Sequence, residues 1–376
     1  MDVNEDRITI LIFQEAWGHG GIETFVMNAI RVLGTERYSF EIWSAYDWYD
    51  GFDDELASLG VPRTAAFPGE MPSLVRRFRV GTKMWRERLS RGDVDIVHVN
   101  AMNGSTLAYV DIARQCGVPV RVAHSHNSDF TGVARALKSV LHRIGQRLWE
   151  RAATVRLACS EEAGAYLFAG SPFQFLPNGI DTSRFAFDVE ARGSVRKNLG
   201  VGEKTLVVGS LGRISEQKNP LFSVRVLAEL IASGVDARLL LIGDGSLEGE
   251  TLLLAERLGV ADLYTHIPSV ENPEDYYCAL DAFLMPSFFE GLPYSLIEAQ
   301  CSGLPCVVSE AIQDEACVTP LVRMVPLSEG SAAWAVAVSD EAVRHSERRA
   351  YSDDVAAAGF SVGASVAYLE EVYRHA

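Results

Sequence analysis

The sequence predicts an α/β protein of two domains, each with a doubly wound, parallel β-sheet. The chain has 376 residues, which exceeds what one ordinary hydrophobic core organises. Short apolar runs alternate with helical patterns in both halves, and the pattern restarts near residue 205. Because alternating strands and helices form right-handed βαβ units, we expect the strands of each sheet to be parallel.

The predicted strands are short apolar runs that end in turn-forming or polar residues. In the first half they cover residues 7–13, 40–46, 94–100, 118–126 and 154–160, and in the second half residues 205–212, 237–245, 282–287 and 305–309. The stretch LPNGIDTSRF, residues 176–185, is rich in turn formers and is predicted to link the two domains. In open α/β sheets, ligands bind beyond the carboxyl ends of the strands, so motifs that directly follow strands deserve most weight.

Composition indicates a globular cytoplasmic protein. Hydrophobic residues make up 48% of the chain, no stretch approaches 18 uninterrupted apolar residues, and the acidic N-terminus does not resemble a signal peptide. The six cysteines are scattered without a Cys-x-x-Cys pair, so we expect reduced thiols and no zinc site. The net charge of −16 argues against nucleic acid as a partner.

A glycine pair directly follows the first predicted strand, in WGHGGIETF. Gly20 and Gly21 allow a close backbone approach to a ligand, and a helix starting near Ile22 would aim free N–H groups at an anion. An ordinary tight βα turn explains the same pattern, so this motif alone leaves both interpretations open.

Two cations flank a turn in GRISEQKNP, after the first strand of the second half. Arg213 offers forked hydrogen bonds and Lys218 a point charge, a combination that suits a diphosphate. A solvated loop with chance charges is the alternative.

Two glutamates lie eight positions apart in the stretch SFFEGLPYSLIEAQCSGLPCVVS. Glu290 belongs to a turn with Gly291 and Leu292, and Pro293 is predicted at the first position of a helix that ends before Gly303. Glu298 lies inside this mostly apolar helix, where burying a carboxylate costs free energy unless it accepts hydrogen bonds. The alternative is that it reaches the surface or pairs with an arginine.

The stretch AHSHN, residues 123–127, ends another strand. His126 could bind a ligand hydroxyl, although a histidine at such a position is also commonly structural.

Taken in order, HGGIETF, AHSHN, PNGID, GRISEQKNP, IGDG and EGLPYSLIE resemble the motifs of family 4 glycosyltransferases, in particular the bacterial members that build capsular polysaccharides and exopolysaccharides. The resemblance extends from about residue 7 to 340. It implies the GT-B fold, in which two Rossmann-like domains face a central cleft. Residues 1–180 would form the acceptor-side domain and 181–361 the nucleotide-sugar domain, with a C-terminal helix, 362–376, crossing back to the first.

The resemblance also implies roles for individual residues. Glu298 would bind the ribose hydroxyls and Glu290 the donor sugar, assisted by the backbone N–H groups of Gly291 and Leu292. Arg213 and Lys218 would bind the diphosphate and stabilise the departing nucleotide. In the first domain, Gly20 and Gly21 would approach the phosphates and His126 would contact the donor sugar, while Val270 would lie near the base. Arg213, Lys218, Glu290 and His126 form the predicted catalytic set.

The reaction implied is transfer of a hexosyl group, with retention of anomeric configuration, to a saccharide or polyprenyl-linked saccharide. The motifs do not identify a general base. The resemblance implies that the leaving phosphate itself takes the acceptor proton, so that a separate base is not needed. Asp93 and Asp95 only open an apolar strand, so we expect no metal and no cofactor. A UDP-sugar is the expected donor, and the motifs leave GDP-sugars open.

Three other functions fit parts of the pattern. A nucleotide-sugar 2-epimerase shares the architecture but does not need the ordered motifs. A nicotinamide-dependent dehydrogenase would need a Gly-x-Gly-x-x-Gly motif, and GHGGIE lacks its final glycine. A sugar-nucleotide-binding module without catalysis is the third.

Two segments of the first half are basic although the chain is acidic. Residues 73–92 carry seven cations against one acid, and residues 135–151 carry a similar excess, both with apolar residues interleaved. Such helices can lie on an anionic membrane, which would place the protein peripherally at the inner face of the membrane. Alternatively, the apolar faces pack on the first sheet and the cations are solvated.

Overall fold

The computed structural model describes residues 7–18, 20–47, 51–127 and 135–375. The chain separates into two compact units, Met1–Gly179 with Val362–Ala376, and Ile180–Ser361. The change from the first unit to the second occurs within LPNGIDTSRF. We describe each unit by itself.

The first unit is built on a seven-stranded sheet with only parallel pairings. Its strands are β1 (Ile8–Trp17), β2 (Tyr38–Asp47), β3 (Arg63–Phe67), β4 (Ile96–Ala101), β5 (Val120–Ser125), β6 (Val155–Ala158) and β7 (Gln174–Phe175). Their spatial order is β3-β2-β1-β4-β5-β6-β7. The central strand β4 is buried along its whole length, as expected for a strand of a parallel sheet that is covered on both faces.

Helices cover this sheet. They are α1 (Gly21–Leu33), α2 (Asp53–Ser58), α3 (Leu74–Arg76), α4 (Thr82–Leu89), α5 (Leu107–Gln115), α6 (Arg135–Trp149) and α7 (Glu161–Phe168), with a π-helical turn, Arg77–Gly81, between α3 and α4. The aromatic side chains of Phe13, Trp43, Trp85 and Tyr109 pack together in the core. The Trp85 indole N–H donates to the Tyr109 carbonyl at 3.0 Å, so this buried polar group has a partner.

The second unit contains a six-stranded sheet that is also parallel throughout. Its strands are β8 (Leu206–Leu211), β9 (Ala237–Ile242), β10 (Tyr264–Ile267), β11 (Ala282–Met285), β12 (Cys306–Val308) and β13 (Val322–Met324), in the order β10-β9-β8-β11-β12-β13. Its helices are α8 (Val189–Asn198), α9 (Pro220–Ala232), α10 (Glu248–Arg257), α11 (Pro273–Ala279), α12 (Tyr294–Cys301), α13 (Gly330–Arg344) and α14 (Ser352–Ala357). The last helix of the chain, α15 (Val362–His375), belongs to the first unit. There Tyr38 donates to Glu370 at 3.1 Å.

Each sheet has a topological switch point beside its first strand. In the first unit the chain adds strands on one side of β1 and then continues at β4 on the other side, and in the second unit it does the same around β8 and β11. At such a point the loops leave in opposite directions and open a crevice at the carboxyl ends of the strands. The motifs after β1, β8 and β11 therefore lie where each unit can bind a ligand.

The sequence pattern missed four strands: β3, β7, β10 and β13. They are the four sheet edges. Edge strands are short and only partly buried, so they lack the apolar run that identifies a central strand. Among the described residues, no helix is both long and apolar enough to cross a membrane.

Candidate active site

Glycines fix the course of the loop that carries Arg213. Gly212 has φ +141° and Gly243 has φ +131°, angles that favour glycine, and a Cβ on Gly243 would lie 2.2 Å from the Gly212 carbonyl oxygen. The Ile214 N–H donates to the Asp244 carbonyl at 3.0 Å. The IGDG segment therefore packs backbone to backbone against the residues around Arg213, and a larger residue there would displace the loop.

The two cations of GRISEQKNP line one small cavity beyond β8, together with Met285, the last residue of β11, and Ser287, which follows this strand. Arg213 is exposed, and its guanidinium has no ion-pair partner among the described residues. Lys218 ends a short 3-10 turn before α9. Asn219, with φ +52°, follows it, and Lys218 lines the crevice between β8 and β11.

Glu290 is held by contacts from three directions. Its Oε1 lies 2.7 Å from Lys218 Nζ, and the residue is only 5% exposed. Gln217 approaches Oε2 at 3.4 Å, and Gln313 donates to the Glu290 carbonyl at 3.0 Å. The predicted diphosphate cation and the predicted sugar carboxylate are thus directly paired, which the sequence did not indicate.

Glu298 is bonded to a tyrosine. The Tyr277 hydroxyl on α11 donates to Glu298 Oε2 at 2.7 Å, and the Tyr277 side chain is fully buried. Pro293 occupies the N-cap of α12 with extended backbone, so its prediction as the first helical residue is wrong by one position. Gly303, with φ +67°, follows the end of α12 as expected.

Burial dominates the electrostatics of Glu298. It raises the pKa of the carboxyl from its ordinary value of 4.5 to about 7, while the Tyr277 hydrogen bond and the charge of Arg184 act in the opposite direction. Arg184 itself pairs with Glu274 at 2.8 Å, and the Glu274 charge adds to the upward shift. Glu298 is therefore a partly buried carboxylate that changes protonation near neutral pH, and it makes its hydrogen bond to a tyrosine and not to an arginine.

The remaining residues predicted for this unit lie at different points along the sheet. Gly291 and Leu292 continue from Glu290 toward α12, and Leu292 is 6% exposed. Val270 follows β10, which is an edge strand two positions from β8. Val270 and Arg213 thus follow two strands that have β9 between them.

In the first unit, Gly20 is the N-cap of α1 and Gly21 its first residue. The backbone of Gly20 is extended, with φ −159°, a conformation that any residue adopts. A Cβ on Gly20 would lie 2.6 Å from Glu23 Oε2, which is the end of a flexible side chain. A larger residue at position 20 would therefore contact the Glu23 side chain, whereas the backbone conformation at this position does not require glycine.

His126 belongs to a buried cluster of three histidines. His126 Nε2 lies 2.9 Å from Asn100 Oδ1, and its ring centroid lies 3.9 Å from that of His124. His98 in turn bonds the Tyr373 hydroxyl of α15 at 2.6 Å. Burial lowers the pKa of His126 to about 3, so the ring is neutral at physiological pH. Because an amide oxygen only accepts, Nε2 carries the proton and Nδ1 keeps a lone pair for a hydroxyl donor.

Sequence reasoning missed the residues that hold the predicted ones. Tyr277, Gln217, Gln313 and Asn100 contact Glu298, Glu290 or His126 from distant parts of the chain. Only Asn100 carried a usable signal, because it is a polar residue near the carboxyl end of the apolar strand β4. The other three contacts depend on packing between elements.

The basic segments combine buried and exposed features. Trp85 and Leu89 are buried, and Arg77 and Arg88 pair with Glu15 and Glu41, so part of the first segment packs on the unit, in line with the second of the two interpretations. Phe78 stacks on Trp149, which joins the two segments. Together they carry eight of the nineteen exposed large apolar side chains of the described residues: Leu74, Val75, Phe78, Val80, Val140, Leu141, Ile144 and Leu148. We call this set the apolar face.

Two Rossmann-like units in one chain, with Arg213 and Lys218 after β8 and Glu290 and Glu298 after β11, are the features expected of the GT-B class of glycosyltransferases. The model for glycosyltransferase family 4 matches residues 19–184, and that for group 1 glycosyl transferases matches residues 205–340.

Relatives extend this result over the whole chain. The putative glycosyltransferase EpsF of Bacillus subtilis is 30% identical over 99% of this chain and 98% of its own. A UDP-Gal:α-D-GlcNAc-diphosphoundecaprenol α-1,3-galactosyltransferase of Escherichia coli is 26% identical over 77% and 76%. The chain therefore belongs to the family 4 glycosyltransferases and is a transferase, which sets aside the epimerase, dehydrogenase and binding-module alternatives.

Solved structures agree with the fold. HepE of Anabaena, in complex with UDP-glucose, superposes with a TM-score of 0.79 at 18% identity, over 98% of this chain and all of the other. WaaG, a glycosyltransferase of lipopolysaccharide biosynthesis, superposes with a TM-score of 0.70 at 17% identity, over 97% and 96%. At this identity the likeness concerns the GT-B fold alone.

Proposed function

We propose that this protein transfers a hexosyl group from a UDP-sugar to a saccharide or lipid-linked saccharide during synthesis of a cell-surface polysaccharide, with retention of anomeric configuration. The observation that carries the proposal is the arrangement at the switch point of the second unit. Exposed Arg213, the lysine Lys218 and buried Glu290 converge there at the ends of adjacent strands β8 and β11.

The chemistry of these groups suits a nucleotide sugar. Arg213 and Lys218 would neutralise the diphosphate and stabilise the charge that develops on the departing UDP. Because two cations can do this without a metal ion, we propose a metal-independent reaction. Glu298 would accept hydrogen bonds from the ribose hydroxyls, and Glu290 from a donor-sugar hydroxyl. The assignments of Gly20, Gly21, Gly291, Leu292, His126 and Val270 toward the donor remain predictions from the family resemblance.

The donor and acceptor follow from the relatives by analogy. HepE binds UDP-glucose and the E. coli enzyme uses UDP-Gal and a diphosphoundecaprenol-linked acceptor, which supports a UDP-sugar and a lipid-linked saccharide here. An exopolysaccharide or capsular product remains a prediction from the family resemblance.

The location that we propose is the cytoplasmic surface of an anionic membrane. The apolar face carries Val140, Ile144 and Leu148 at four-residue spacing on α6, and they are 54%, 45% and 63% exposed. Arg143, Arg147 and Arg151 are exposed beside them and have no ion-pair partner among the described residues. Apolar insertion flanked by cations is the pattern of an interfacial helix.

A donor screen tests the proposed activity. The protein is incubated with UDP-glucose, UDP-galactose, their N-acetylated forms and GDP-mannose, and thermal stabilisation and release of nucleoside diphosphate are measured. We expect one UDP-sugar to stabilise the protein and to release UDP slowly by hydrolysis, and Arg213→Ala to abolish the release. If only GDP-mannose is active, the donor assignment is wrong, and if no nucleotide sugar binds, the proposed function is wrong.

A further inference from the structure

The ion pair between Lys218 and Glu290 occupies the groups that the donor would need. The lysine nitrogen and the carboxylate oxygen are 2.7 Å apart, and the side chains are 24% and 6% exposed. Gln217 joins the turn before Lys218 to the turn before Glu290. Its side-chain amide donates to the Phe289 carbonyl at 3.1 Å, and the Phe288 N–H donates to the backbone carbonyl of Gln217 at 2.9 Å. Glu290 therefore neutralises the cation that is suited to phosphate.

Arg213 differs from Lys218 in this respect. Its guanidinium is exposed and has no ion-pair partner among the described residues. A diphosphate can bind Arg213 without displacing another anion, whereas it competes with Glu290 for Lys218. When one partner leaves a buried ion pair, the remaining charge loses its compensation, and this loss is strongly unfavourable.

We propose that the Lys218–Glu290 pair makes the site select an intact nucleotide sugar over the free nucleoside diphosphate. This inference rests on the proposed function. A diphosphate without a sugar draws Lys218 away, and the buried carboxylate of Glu290 then loses its 2.7 Å ion pair with this lysine. A nucleotide sugar brings hydroxyl groups that donate to Glu290 and replace the lost interaction. Glu290 thus lowers the affinity for UDP, favours the donor, and promotes release of the product UDP.

The proposal predicts an effect of unusual sign. Glu290→Gln removes the charge of a side chain that is expected to bind the donor. It should nevertheless tighten the binding of UDP, because Lys218 is then available to the diphosphate. The opposite is expected of Lys218→Met, which removes the phosphate contact. A merely structural ion pair would give weaker or unchanged UDP binding for both variants.

Calorimetry with UDP on the full-length protein tests this. We expect Glu290→Gln to bind UDP about five- to tenfold more tightly than wild type, which corresponds to about 1.0–1.4 kcal/mol of binding free energy. Removing any negative charge near an anion site also favours UDP, so the variants are combined in a double-mutant cycle. In the Lys218→Met background, Glu290→Gln is expected to have no effect on UDP affinity.

A second variant guards against this general charge effect and against misfolding. Glu290→Asp withdraws the carboxylate by one methylene at unchanged charge, so it should tighten UDP by a smaller factor. Equal or weaker UDP binding by both Glu290 variants, with normal thermal melting, overturns the inference and leaves the proposed function standing. A gain that persists without Lys218 also overturns it. If wild type binds neither UDP nor GDP at millimolar concentration, the proposed function itself fails.

Discussion

The assignment of Glu298 to the ribose predicts how UDP affinity depends on this carboxylate. Glu298→Ala removes the acceptor, and losing a hydrogen bond to a charged group costs about 1.5–3 kcal/mol. Since each 1.4 kcal/mol is a factor of ten, we expect UDP to bind roughly 10- to 150-fold more weakly. Calorimetry with UDP alone measures this without knowledge of the donor sugar or the acceptor.

The same residue predicts a pH dependence. The ionised carboxylate is the better acceptor, and its pKa of about 7 in the free protein means that a growing fraction is protonated below pH 7. UDP affinity of wild type should therefore fall as pH is lowered from 8 to 6. The side chain of Glu298→Gln cannot ionise, so the pH dependence of UDP affinity in this variant reflects the titration of UDP alone. The difference between the pH dependences of wild type and Glu298→Gln is then due to Glu298.

Two controls make the test specific. Glu250→Ala removes an exposed carboxylate from α10 in the same unit, and it should leave UDP affinity within about twofold, since surface substitutions of this kind have small effects. Thermal melting of Glu298→Ala shows whether the unpaired Tyr277 hydroxyl has disturbed the fold. Equal UDP affinity in wild type and a folded Glu298→Ala would refute the ribose assignment.

Two further predictions concern stability and membrane binding. Burial raises the pKa of Glu298 in the folded state from 4.5 to about 7, so ionisation of this carboxyl lowers the free energy of unfolding progressively between these pH values and in full above them. The melting temperature of Glu298→Gln should therefore exceed that of wild type by more at pH 8 than at pH 5. An equal difference at both pH values would contradict the shift. Wild type should sediment with anionic liposomes at about 50 mM salt, where screening is weak. Binding should fall at least severalfold in the double variant Ile144→Ser/Leu148→Ser and in the double variant Arg143→Ser/Arg147→Ser. It should not fall in the control Val336→Ser/Val343→Ser, which changes two exposed apolar residues of α13. Indifference of wild type to anionic liposomes would favour a soluble acceptor.

The sequence predicted the central strands because their apolar runs are buried on both faces. β4 is buried along its whole length and β9 at every residue except Arg238, whereas the edge strand β13 has only the three residues Val322–Met324 and was not predicted. The same logic placed Arg213, Glu290 and Glu298 beyond strand ends, because strand ends can be read from local sequence.

Pairings between distant residues could not be predicted. Lys218 and Glu290 are 72 positions apart, and Tyr277 and Glu298 are 21 apart. Their contacts depend on strand order and helix packing, which local patterns do not specify. The basic segment 73–92 shows the same limit, since its pattern left membrane contact and packing on the sheet both open, and only the structure shows that Trp85 is buried and that Arg88 pairs with Glu41.

Proton NMR of one reaction tests the central claim most directly. The protein is incubated with the UDP-sugar identified in the donor screen, in EDTA, and the anomeric signals of the freshly formed sugar product are followed with those of UDP. We predict that UDP and a product with the anomeric configuration of the donor appear together, and that Arg213→Ala and Lys218→Met suppress both. A product of inverted configuration, or turnover restored only by added Mg²⁺ or Mn²⁺, would contradict the account.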